Sequence, residues 1–250
     1  MAEKLWTVRE VVTWTSERLG REGVDSPRLD AGVLLAHALG CDRVSLYLDL
    51  DRPLDPAERG RYRELVGRRL ERVPVAYLVG EKEFYSRRFA VDERVLVPRP
   101  ETETLVERAL VVLRDFTRPR VLDVGTGSGA IAVTLAAERP DAEVIATDVD
   151  EAALEVAAGN AALHEVTVDL RRSDLLDDLP ADEPPFQLIV ANLPYVAHGD
   201  RDTLAPELLH EPAGALFADG DGLALVDRLV RDAPPRLAQP GGVLMLAIGL

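Results

Sequence analysis

The feature that most constrains this 250-residue chain is an alternation of short apolar strands and helical segments that begins at Arg120. Val121-Leu122-Asp123-Val124 reads as a strand, residues 131–137 as a helix and Val144-Ile145-Ala146-Thr147 as the next strand. Further strands are expected at 166–170, 186–191 and 242–248, with helical stretches between them. Apolar strands linked by helices call for an α/β fold with a parallel sheet. Each right-handed crossover lays its helix over one face of that sheet. Residues 174–185, acidic and proline-rich, are expected as a solvated loop.

Upstream the periodicity is helical. Thr7-Val8-Arg9-Glu10 has the form of a capping box, and Asp55-Pro56-Ala57-Glu58 repeats the start signal. Ser26-Pro27 offers an N-cap with proline at the first helical position, and Gly40 closes the stripe that follows. A small helical domain for packing and recognition is therefore expected over residues 1–75. Residues 76–100, with Phe84, Tyr85, Phe89, Val91, Val95 and Val97, read as a β-hairpin linker ending at Pro98-Arg99-Pro100. The α/β domain then occupies 101–250.

Composition narrows the function classes. No apolar run approaches the length a bilayer requires, and the first residues lack a basic region followed by an apolar core. With Cys41 as its single cysteine, the chain is expected in the cytoplasm. Basic and acidic residues balance over 1–75, so the formal charge of −15 falls on residues 76–250. An acidic α/β domain repels phosphate backbones, which counts against nucleic acid as the direct substrate. His37 lies in a helical stripe, and His164, His198 and His210 share no ligand spacing with Cys41, so no metal site is expected.

Two segments carry chemistry. The first, Asp123-Val124-Gly125-Thr126-Gly127-Ser128-Gly129, follows a strand and opens a helix. Glycines there let a backbone approach a ligand closely. Asp148 ends the second strand about twenty residues on, where a carboxylate accepts ribose hydroxyls. On its own the loop leaves S-adenosylmethionine, a dinucleotide and a purely structural turn all open. Carboxylates suit the cationic sulfonium better than they suit a phosphate-rich cofactor. Asp174 follows a later strand, as either an adenine contact or a solvated acid.

The second is Asn192-Leu193-Pro194-Tyr195, which ends the strand expected at 186–191. Ligands in such sheets bind beyond the strand carboxyl ends, so it is expected to face the same crevice as the glycine loop. An amide or aromatic amino nitrogen is a poor nucleophile because its lone pair is delocalised. Accepting hydrogen bonds from both its N–H groups, and aligning it with a sulfonium methyl, improves it. The Asn192 side-chain carbonyl supplies one acceptor and a neighbouring backbone carbonyl the other. Pro194 holds Leu193 extended, and Tyr195 offers a flat face to a planar group.

With Arg72-Val73-Pro74-Val75-Ala76-Tyr77-Leu78-Val79-Gly80, Pro98-Arg99-Pro100-Glu101-Thr102-Glu103 and Glu211-Pro212 added in order, the chain resembles the release factor glutamine methyltransferases (the PrmC/HemK family). The resemblance implies a Rossmann-like class I S-adenosylmethionine-dependent methyltransferase sheet behind a helical N-terminal domain. It also implies N(5)-methylation of the glutamine in the Gly-Gly-Gln motif of peptide chain release factors. Under it Asp123, the 125–129 loop, Asp148, Asp174, Leu175 and Asn192 bind the cofactor. Asn192, Leu193, Pro194 and Tyr195 hold the glutamine, with Asn192, Pro194 and Tyr195 as the catalytic set. The chain departs from the family at Leu193, where proline is usual, and at Ala247, where glutamate is common. Leu175 falls where relatives place an aromatic, and the family's closing edge strand is expected to be missing beyond Leu250. The alternatives are an adenine-N6 nucleic-acid methyltransferase and a cofactor-binding homologue of reduced activity.

Overall fold

Helix capping sets the frame of the first half of the chain. In the computed structural model, which describes residues 5–248, the chain divides into two units, Met1–Gly80 and Glu81–Leu250. The first holds α1 (Val8–Arg21), α2 (Pro27–Leu39), α3 (Arg43–Leu48), α4 (Pro56–Leu70) and α5 (Val75–Val79). Thr7 Oγ1 accepts from the Glu10 N–H at 3.3 Å while Glu10 Oε2 accepts from the Thr7 N–H at 3.0 Å. Asp55 and Glu58 close the same box at α4. Gly40 ends α2 in the left-handed region at φ 64°. Ser26 does not cap α2 with its side chain; its ψ of 56° departs from the extended geometry a capping residue uses. The short α3, absent from the sequence reading, starts where Asp42 accepts from the Ser45 N–H at 2.7 Å.

Val8, Val12, Leu34, Leu35, Tyr62 and Val66 form the core of this unit. A buried Asp30–Arg69 ion pair at 2.8 Å lies within the same unit. The helical unit runs through Gly80 rather than ending at 75, because residues 75–79 form α5 and bury Ala76 and Leu78.

The second unit opens with a hairpin, β1 (Glu81–Phe84) and β2 (Arg87–Ala90), turned through Tyr85 and Ser86 at φ 50° and 58°. There follow α6 (Pro100–Leu113), β3 (Arg120–Val124), α7 (Ala130–Glu138), β4 (Glu143–Asp148), α8 (Glu151–Leu163) and β5 (Asp169–Arg172). Next come β6 (Leu188–Ala191), β7 (Val196–Ala197), α9 (Ala213–Leu216), β8 (Phe217–Ala218), α10 (Ala224–Asp232) and β9 (Val243–Leu246). The main sheet is wholly parallel in the order β5-β4-β3-β6-β9. Strand residues alternate between two cores. Val121, Val144, Leu188 and Val190 pack with α6 and α7, while Leu122, Ile145 and Ile189 pack with Phe186 and Leu229. A fully buried leucine or isoleucine contributes roughly 2 kcal/mol, so covering both faces is what holds the sheet.

Two further expectations are corrected. The strand placed at 166–170 lies at β5 instead, because the Val166 N–H donates back to the Ala161 carbonyl and closes α8. Residues 174–185 are not simply a solvated loop, since Leu175, Leu176 and Leu179 are buried in the second core. No helix among the described residues is long and apolar enough to cross a membrane.

Candidate active site

The sheet order creates a crevice. β3, β4 and β5 step outward in one direction, and β6 then returns to the opposite side of β3, so the loops leaving β3 and β6 diverge. Parallel register pairs Val124 with Ala191, which places Gly125 and Asn192 next in line at adjacent strand ends. Gly125 has φ +73°, and a Cβ built on it would stand 2.9 Å from Leu193 Cδ2. The glycine loop and the Asn192-Leu193-Pro194-Tyr195 segment are thus in direct contact.

The loop is anchored on its neighbour strand. The Thr147 carbonyl accepts from the N–H groups of Gly125 and Thr126, both at 2.9 Å, and Asp148 Oδ2 accepts from the Gly127 N–H at 2.8 Å. Gly129, at φ +78°, brings the start of α7 against α8; a Cβ there would lie 3.1 Å from Ala157 Cβ. Asp123 is fully buried. Its Oδ2 accepts from Thr126 Oγ1 at 2.7 Å and from the Ala132 N–H at 3.2 Å, while Oδ1 has no partner among the described residues. Burial pushes its carboxyl up to about 7. Burial also raises the Asp148 carboxyl above its ordinary range, against the opposing hydrogen bonds from the Asp150 and Gly127 N–H groups.

Two cavities meet at Asn192, Leu193 and Pro194. The first, of about 350 Å³, is lined by Gly125, Thr126, Gly127, Ser128, Asp148, Asp174 and Leu175 together with those three residues. The second, of about 690 Å³, lies against the same three and adds Tyr195. Asn192 is half-buried, and its carboxamide makes no hydrogen bond among the described residues. Asp123 and Gly129 line neither cavity and act beneath the loop. Asp174 reaches the first cavity with its carboxylate held by Arg228, both oxygens at 3.0 Å. Leu175 stands at φ 52° with its side chain buried.

The first cavity suits a cationic ligand carrying a ribose. Asp148 offers carboxylate oxygens, and Ile131 and Leu175 offer apolar surface. The cationic side chain of its lining, Arg94, is already paired with Asp92 at 2.7 Å and Glu155 at 3.0 Å, which leaves it poorly placed to neutralise a pyrophosphate.

Sequence reasoning missed several supports. Asn160 accepts from the Ala90 N–H at 2.7 Å and donates to the carbonyls of Ala90 at 3.0 Å and Ser128 at 2.8 Å, tying the hairpin to the glycine loop. Its signal was a lone amide in the buried α8 stripe of Ala153, Val156, Ala157 and Ala161. Leu96 and Pro98, from the segment taken as a linker, also line the first cavity. Gly222 admits the backbone of the acceptor segment: a Cβ there would lie 2.4 Å from the Tyr195 carbonyl oxygen.

Residues 10–80 match the PrmC N-terminal domain and residues 102–240 the methyltransferase small domain. A release factor glutamine methyltransferase of Rhodopirellula baltica is 44% identical over 250 residues, covering 97% of this chain and 84% of that protein. One from Deinococcus radiodurans is 44% identical over 241 residues, covering 96% and 85%. Another from Geobacter sulfurreducens is 42% identical over 253 residues, covering 100% and 87%. With identity at this level along nearly its whole length, the chain belongs to the release factor glutamine methyltransferase family.

Proposed function

We propose that this chain methylates the side-chain amide nitrogen of the glutamine in the Gly-Gly-Gln motif of a peptide chain release factor, in the cytoplasm, with S-adenosylmethionine as methyl donor. The observation that carries this reading is that Asn192, its carboxamide unpartnered, lines both cavities beside the glycine loop.

Gly125, Thr126, Gly127 and Ser128 form the bed for S-adenosylmethionine, with Gly129 and Asp123 fixing that bed from beneath. Asp148 accepts from the ribose hydroxyls, and Leu175 and Asp174 border the adenine. The bound cofactor supplies an electrophilic methyl on its sulfonium. The carboxylates of the cavity favour that cation over an anionic phosphate ligand.

The Asn192 carbonyl and the Leu193 carbonyl accept the two N–H groups of the glutamine amide. This fixes the plane of the amide, raises electron density on nitrogen and leaves its lone-pair direction toward the first cavity. Pro194 restricts Leu193 and so sets the direction of that carbonyl. Tyr195, 38% exposed, lays its ring against the planar amide from the second cavity. No residue has to remove a proton first, because the nitrogen gives one up to solvent readily once alkylated.

Asn192→Ala tests the reading. Removing one preorganised acceptor is expected to lower kcat by about 100-fold while the dissociation constant for S-adenosylmethionine, read by calorimetry, stays near the wild-type value. Undiminished turnover would place the acceptor site elsewhere.

A further inference from the structure

Pro98-Arg99-Pro100 and Glu211-Pro212 lie far apart in the chain. The structure joins them through one carboxylate. Glu211 Oε2 accepts from the Val97 N–H at 3.0 Å, and Oε1 accepts from the Arg99 guanidinium. The Glu211 side chain is 1% exposed and that of Arg99 32%. Leu96 lines both cavities, Pro98 and Pro212 line the first, and Arg99 lines the second beside Asn192 and Tyr195. The buried carboxylate therefore fastens a wall shared by the two cavities.

Arg99 has five N–H groups, and Glu211 is its one side-chain partner among the described residues. Its charge is already matched by Glu211, so the pair offers oriented donors with little net charge. Such donors suit the carbonyl oxygens of a polypeptide main chain, and the acidic Glu101 in the same lining disfavours phosphates. We infer that Glu211 is a positioning residue that fixes Arg99, and that Arg99 grips main-chain carbonyls of the release factor flanking the acceptor glutamine. The inference rests on the glutamine reading of the site.

The test compares the wild-type enzyme with Arg99→Lys, Glu211→Gln and the double variant. Each is assayed for turnover on full-length release factor, and for release factor and S-adenosylmethionine binding by calorimetry. Gln at 211 still accepts from the Val97 N–H, so the wall stays folded while the guanidinium is released. Each single variant is expected to raise both KM and Kd for the release factor about tenfold, the worth of one charge-assisted hydrogen bond, with kcat and cofactor affinity near wild type. The double variant is expected to be no worse than either single, because one acts through the other. Unchanged KM in both singles, or multiplying losses in the double, would overturn the inference and leave the glutamine reading standing. A wild-type enzyme that methylates RNA and not release factor would overturn both.

Discussion

At Asp123 the chain buries a carboxyl whose second oxygen has no partner among the described residues, directly beneath the loop it braces. Its folded-state value of about 7 lies above the ordinary 3.8, so between those values the unfolded chain ionises while the folded chain keeps its proton. Stability contributed by this group is therefore fully present at low pH and is lost as pH rises through about 7. Urea denaturation at about pH 5 and about pH 8 is expected to show a smaller loss for Asp123→Asn than for the wild type; identical losses would remove Asp123 as the cause. Gly125 is a second residue-scale case. Gly125→Ala forces a Cβ against Leu193 and is expected to weaken cofactor binding and turnover together. Adding Leu193→Ala is expected to recover part of the cofactor affinity by removing the collision. The left-handed backbone at Gly125 would still cost about 1 kcal/mol. No recovery would mean that backbone strain alone matters. The glycines and Asn192 were legible in the sequence because their chemistry is local. The Gly125–Leu193 contact was not, since it depends on strand register between residues far apart in the chain.

Among the elements, α8 does more than cover the sheet. Asn160 spends its carboxamide on Ala90 and Ser128, so the helix joins hairpin and glycine loop into one unit. Asn160→Ala is expected to remove the partner of the Ala90 N–H and of the Ala90 and buried Ser128 carbonyls, lowering the unfolding free energy by roughly 2 kcal/mol in a urea titration and weakening S-adenosylmethionine binding. A stability loss with unchanged cofactor affinity would confine Asn160 to packing. Capping boxes at Thr7 and Asp55 were readable because three-residue spacing fixes their geometry. Residues 166–168 misled because their apolar character serves the end of α8 and the edge of the core rather than a ladder. Residues 174–185 misled because acids and prolines hid three leucines that turn inward.

For the whole molecule, the α/β class followed from the order of elements alone, since alternation leaves a parallel sheet as the way to cover both faces. That the glycine loop and Asn192 share a crevice followed from their places at strand carboxyl ends, and the return of β6 beside β3 is what makes that crevice. The strand order, and the two-cavity arrangement divided by Asn192, Leu193 and Pro194, needed the folded chain. The account stands or falls on methyl transfer across that divide to a glutamine amide. Its most direct measurement is fragmentation mass spectrometry of release factor incubated with this enzyme and S-adenosylmethionine. The account predicts one added methyl group on the side-chain nitrogen of the Gly-Gly-Gln glutamine. An unmodified glutamine, or a methyl group on another residue, would contradict it.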